Sequence, residues 1–148
     1  EALVPLFEGF LTYGGISVSY PKTWSAYVSE LGGGSLPVDG YFHPGFVPAL
    51  QSTTAFALRV QVSSQPYDTE LNQYSSKVRI GKLVVSPYRS KKVPGVLGSK
   101  VEGEITTGQY DTKILLPLRD KTLEIWTESR EFVNDFNNIV MANLSFSP

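Results

Sequence analysis

TKILLPLRDKTLEIWTESREFVNDFNNIVMAN, residues 112–143, reads as strand, tight turn, strand and helix, with a boundary residue of fitting chemistry at each junction. In the segment from Thr112 to Arg119, Ile114, Leu116 and Leu118 share a face, because successive strand side chains point to opposite sides. Asp120-Lys121 is the expected two-residue turn, after which the segment from Thr122 to Glu128 places Leu123 and Ile125 inward and Glu124 and Glu128 outward. Trp126 then falls on the charged face. Pro117 cannot donate a ladder hydrogen bond, so its strand is expected at a sheet edge or bulged at that point. Ser129 has N-cap chemistry, and Phe132, Phe136, Ile139 and Val140 form one apolar stripe opposite Asn134, Asp135, Asn137 and Asn138. Asn143 is the expected C-terminal cap, after which Leu144-Ser145-Phe146 resumes strand alternation. A hairpin and a helix that are each apolar on one side satisfy one another by packing, which is the α+β arrangement of a central antiparallel sheet flanked by helices.

Outward from this stretch the same patterns recur. Val96 to Ile105 reads as a strand broken by Gly98 and Gly103, and Val93-Pro94-Gly95 as a turn. Two short extended runs, Leu83 to Ser86 and Tyr88 to Lys91, flank Pro87. Asp68 is the expected N-cap of a helix running through Ile80, apolar at Leu71, Tyr74 and Val78 and ended by Gly81. Ala55 to Ser64 reads as a long central strand with Phe56, Leu58, Val60 and Val62 on one face; Arg59, on the other, needs an acidic or carbonyl partner. Ile16 to Tyr20 and Trp24 to Glu30 both alternate, and Pro21-Lys22-Thr23 between them suggests that they form the first hairpin, preceded by a turn at Tyr13-Gly14-Gly15. Residues 1–10 are apolar enough to dock as a short helix or strand. Gly32-Gly33-Gly34 lacks the Lys-Ser or Lys-Thr pair and the following helix of a phosphate cradle.

A chain of 148 residues is expected to form one domain, residues 1–148, and to bury roughly 70% of the surface its unfolded form exposes. The absence of cysteine excludes disulfides and thiolate metal sites. A charged fraction of 18% beside 41% hydrophobic residues suits a small extracytoplasmic domain. No apolar run reaches the 18 or so residues of a membrane span, so membrane attachment is expected only through an anchor upstream of Glu1. Net charge is −1, yet the segment between Leu71 and Val101 carries Lys77, Arg79, Lys82, Arg89, Lys91, Lys92 and Lys100 and no acid. Such a segment is either a surface for anionic partners or a solvated helix end and loop.

The single histidine, His43, limits the chemistry available. No Gly-x-Ser-x-Gly elbow presents a serine to it, and an open zinc site would have to combine it with carboxylates that do not converge in sequence. No cofactor or metal is expected. Val38 to Leu50 (VDGYFHPGFVPAL) combines prolines and glycines with Tyr41, Phe42, His43 and Phe46, and reads as an irregular loop that either lines a pocket or folds back over an open end of the core. Tyr41, Phe42, His43 and Phe46, with Arg89, Lys91 and Lys92 of the basic segment, are the candidate ligand-binding residues.

From about Gly15 onward the chain resembles the PsbP-like domains. The likeness is carried by Ile16 to Tyr20 followed by Pro21 and Trp24, a long strand, a central helix, and a strand-turn-strand leading into a Phe- and Asn-rich helix with a final Leu-Ser-Phe. It implies a central antiparallel sheet with helices on both faces, an α/β/α sandwich, in a bacterial domain often exported or membrane-anchored. It also implies a binding or assembly role with no catalytic residues carried over; a role in photosynthesis is not implied. The expectation is a non-catalytic extracytoplasmic binding module with a protein partner at the cell envelope. Two alternatives stand beside it: a carboxylate-dependent hydrolase, with or without His43, and recognition of anionic lipid or nucleic acid through residues 77–92.

Overall fold

The computed structural model describes residues 9–13, 16–21, 23–30, 38–44, 56–106 and 108–146. Expectations for residues 1–8, the Gly14-Gly15 turn, the Gly32–Gly34 run and Phe46 fall outside these residues. Among the described residues, ten strands form two antiparallel sheets. The small sheet contains β1 (Gly9–Tyr13), β2 (Ile16–Tyr20) and β10 (Ser145–Phe146) in the order β1-β2-β10. The large sheet is built from β3 (Trp24–Glu30), β4 (Val38–Pro44), β5 (Leu58–Ser63), β6 (Leu83–Arg89), β7 (Leu97–Thr106), β8 (Gln109–Leu118) and β9 (Lys121–Thr127). Its order is β3-β4-β5-β9-β8-β7-β6. Helices α1 (Tyr67–Asn72) and α2 (Ser75–Arg79) follow β5. A helical segment over 130–143 follows β9.

The hairpin of β8 and β9 lies at the middle of the large sheet. On one face of it Ile114, Leu116, Leu118, Leu123 and Ile125 join Leu58, Val60 and Val62 of β5 and Phe42 of β4 in the main core. The 130–143 helix closes this core with Phe132, Phe136, Val140 and Met141, and the small sheet with Ile16, Val18 and Phe146. The opposite face is covered over β7, β8 and β9 by α1 and α2, where Tyr74 packs with Leu83, Val101 and Leu115. A large antiparallel sheet with a few short helices packed on it is the α+β arrangement that the hairpin and stripe imply.

Several local expectations are corrected. The tight turn is Arg119-Asp120, one residue earlier than expected, since Leu118 pairs with Lys121 and Arg119 takes φ +58°. Pro117 sits in an interior strand, but the β7–β8 ladder ends at Ser99 and Leu115, so no neighbour there needs its missing N–H. The strands β2 and β3 are not a hairpin: β2 pairs with β1 and β10, β3 pairs with β4, and the turn at Pro21 and Trp24 carries the chain from one sheet to the other. Val38–Pro44 is not irregular; it is a strand paired on both sides, with β3 and β5. Phe56 lies beside Arg59, 5.7 Å from the guanidinium, and Ala57 takes the core position instead. The helix expected from Asp68 to Ile80 is broken after Asn72, with Pro66 at its N-cap; Gly81, at φ +81°, does end α2. The break lets Tyr74 turn onto the sheet beside Lys113. Ser129 caps the 130–143 helix by accepting from the Glu131 N–H, and the Asn143 amide donates to the Ile139 carbonyl at 2.9 Å. That helix changes pitch along its length, from a 3₁₀ turn through a π turn at Phe136–Val140 to a final α turn.

Candidate functional site

Among the described residues, the sequence-derived site residues do not form one site. Phe42 is 1% exposed and packs within the core, its ring tilted at 58° to that of Tyr20 with the centroids 5.0 Å apart, so it offers no surface to a ligand. His43 is half-buried, its ring 5.7 Å from that of Phe132 in an edge-on contact. The side chain of Tyr41 lies outside the described residues, as does Phe46. Across the sheet one register row runs Tyr41, Arg59, Trp126, Lys113, Val101, Val85. His43 lies two residues to one side of this row, and Arg89 four residues to the other. Five strand spacings separate β4 from β6, about 24 Å. The aromatic stretch and the basic segment therefore occupy diagonal corners of the sheet, too far apart for one small ligand.

The basic segment wraps the β6 edge, and this edge has a second property that the sequence did not announce. The large hydrophobic side chains exposed among the described residues are Val78 and Ile80 at α2, Val84 and Val85 on β6, and Leu97 on β7. Ile80 is 68% exposed, Val84 64% and Leu97 50%. Where α1 and α2 meet the β6 edge, two shallow grooves of about 260 and 390 Å³ share Val85. One is lined by Tyr74, Val78 and Arg79, the other by Tyr67, Pro87 and Leu97. Lys82 pairs with Glu104 at 3.6 Å and Lys77 donates to the Ile105 carbonyl, whereas Arg79 and Arg89 have no acidic partner among the described residues.

The backbone of this edge is guarded. The Ser90 N–H donates to the Val96 carbonyl, so by the alternation of an antiparallel pair Tyr88, Ser86 and Val84 bond to β7 while Val85, Pro87 and Arg89 turn their main chain outward. Pro87 then removes the middle donor from the outer row, which protects an edge against pairing with another strand.

A buried polar cluster beneath α1 also escaped the sequence reading. Glu124, expected to face solvent, is 3% exposed and pairs with Lys113 at 2.8 Å. The Lys113 ammonium lies 4.2 Å from the Trp126 ring centroid and 5.5 Å from that of Tyr74. Burial raises the Glu124 pKa, the hydrogen bond with Glu70 adds to this and Lys113 opposes it, leaving it at about 7. Burial also pushes Glu70 upward, but its hydrogen bonds with Glu124, Ser63 and Gln73, and the Lys113 charge, bring it below its ordinary value. Burial lifts Asp111 to about 6. Beside the cluster, Arg59 finds the partner it needs: Glu128 at 3.3 Å, which also accepts from the Trp126 indole at 3.1 Å and the Phe56 N–H at 3.0 Å. Two carboxylates with pKa values driven apart can act as an acid and a base. Here the acid is shut beneath α1, and none of the grooves at the β6 edge reaches it.

Among the described residues, no three His, Asp or Glu side chains are grouped to hold a metal ion, and no helix is long and apolar enough to cross a membrane. No family model, curated protein or solved structure matches the chain.

Proposed function

We propose that this chain is a non-catalytic binding or assembly module, a PsbP-like α/β/α sandwich acting outside the cytoplasm at the cell envelope, which docks an acidic protein partner on its β6 edge. The observation that carries the reading is a coincidence of place. The exposed Val78, Ile80, Val84, Val85 and Leu97 all fall within the segment that bears seven cations and no acid. Exposed apolar patches bounded by charge mark interaction surfaces, and a cationic rim favours an anionic partner through steering and exclusion of like charge. Because Pro87 interrupts the outer backbone row, the partner is held by side chains and not by an added strand.

The form of the hydrolase alternative that uses His43 needs it and two carboxylates in one cleft. The buried carboxylates Glu124 and Asp111 lie on β9 and β8, two and three strands from His43. The extracytoplasmic assignment is supported by the low charge content and by the resemblance to the PsbP-like domains.

Cross-linking in native envelope fractions tests the proposal. The wild-type chain is expected to join an acidic protein through residues 78–97. Capture should fail at about 1 M salt, where the Debye length shrinks to about 3 Å, and also in the Val85→Asp/Leu97→Asp variant. Cross-links mapping elsewhere, or equal capture by the variant, would overturn it. So would retention on heparin or anionic vesicles that is lost in Arg79→Ala/Arg89→Ala, which would favour lipid or nucleic acid instead.

A further inference from the structure

Around the β6 edge, on the face opposite the exposed Val85 and Leu97, lies a separate groove of about 350 Å³. Tyr88, Lys91 and Lys100 form one wall; Asn137, Asn138 and Met141 of the 130–143 helix form the other. Each polar side chain here can donate a hydrogen bond, two of them are cations, and no carboxylate lines the groove. Neither lysine has an acidic partner among the described residues.

The walls are set by packing on the core. The Tyr88 ring packs against the main cluster, and Phe136, Ile139 and Val140 bury the inner side of the helix, leaving Asn137 and Asn138 beside the groove. Both asparagines fall within the π turn, a local widening that often accompanies ligand sites. The Tyr88 hydroxyl oxygen is buried without a hydrogen-bond partner among the described residues. Native proteins seldom leave such a group unsatisfied. Burial raises its pKa, so at neutral pH it keeps the proton it would donate.

We propose that this groove binds a small organic oxyanion, a carboxylate or phosphate held between Lys91 and Lys100 and reached by the Tyr88 hydroxyl and the asparagine amides, with a short aliphatic portion against Met141. A neutral ligand would leave both ammonium groups unpaired, and a cation would be repelled. The groove is distinct from the Val85 and Leu97 surface, which lies on the other face of the edge, although Lys91 and Lys100 also belong to the cationic rim.

The test is an amide-resolved NMR titration at matched ionic strength with butyrate, glutarate, inorganic phosphate and, as control, choline. Saturable shifts confined to residues 86–100 and 137–142 with at least one anion, and none with choline, are expected; the arm that saturates identifies the oxyanion. Lys91→Gln/Lys100→Gln should weaken binding about tenfold or more, the usual effect of losing charge-assisted hydrogen bonds. Tyr88→Phe should weaken it several-fold while Tm stays equal or rises, because a buried unpaired hydroxyl is removed. Leu97→Asp should bind as the wild type does. Shifts that do not saturate by tens of millimolar, or affinity unchanged in the folded double-lysine variant, would overturn the assignment.

Discussion

Replacing Glu124 with Gln should flatten the pH dependence of stability, and the size of the change follows from the position of this carboxyl group. In the folded protein its pKa is raised from the ordinary 4.5 to about 7, mainly by burial. The native state therefore binds a proton more tightly than the unfolded state, opposite to the usual surface carboxylate. Stability is gained as pH falls from 7 toward 4.5 and lost as pH rises through the same window. At about 1.36 kcal/mol per pH unit, Glu124 alone contributes roughly 2 to 3 kcal/mol of extra stability at pH 5 relative to pH 8. Asp111, raised to about 6, adds a slope of the same sign. Glu70 is lowered, so its contribution is lost below its ordinary 4.5, beneath this window. Glutamine can still donate to Glu70 and accept from Lys113, but it does not titrate. Urea unfolding at pH 5, 6, 7 and 8, followed by the emission of Trp126 beside Lys113, measures both proteins. The wild type should become more stable on acidification to pH 5, and Glu124→Gln should lose most of that gain. Equal slopes in the two proteins, or a wild type that grows more stable toward pH 8, would show that the charge cluster is not closed to solvent.

Phe136→Ala should cost about 3–5 kcal/mol in chemical unfolding with an unchanged m-value, because a wholly buried ring at the centre of the main core leaves a cavity. Gly98→Ala should cost about 3 kcal/mol, since its Cβ would stand 2.0 Å from the Leu115 carbonyl oxygen, a backbone atom that cannot swing aside. Arg59→Met should cost on the order of 3 kcal/mol by leaving the largely buried Glu128 without its cation, and should shift the emission of Trp126, whose ring lies 5.0 Å from the guanidinium. A loss below about 1 kcal/mol for Arg59→Met would place the pair with ordinary surface ion pairs.

The sequence reading succeeded where one face of an element decides its place. Ile114, Leu116, Leu118, Leu123, Ile125 and Phe136 all enter the main core, and their alternation and stripe are local signals. Glu124 misled because a charge between Leu123 and Ile125 reads as solvent-facing. Its cover, α1, and its counter-charge, Lys113, come from other parts of the chain. A hint was present in Lys113, Leu115 and Trp126, which make the second face too mixed for open solvent. The supposed hairpin of β2 and β3 failed because strand partners are chosen by non-local packing: β2 finds β10 instead. In Val38–Pro44, proline and glycine concealed a strand whose bonding needs are met by two neighbours. At the candidate site, the basic segment was legible as charge. The exposed apolar residues among it were not, because Val84, Val85 and Leu97 look like core until the reach of α2 is known.

The pairing of Phe146 with Ile16 closes a loop of roughly 130 residues. During synthesis the small sheet cannot be completed until β10 has emerged from the ribosome. Until then Ile16 and Val18 lack β10 beside them, and the oily side of the large sheet stays open to other nascent chains. Closure of this sheet thus waits for the last of the described strands, and a chaperone would matter most before that strand arrives.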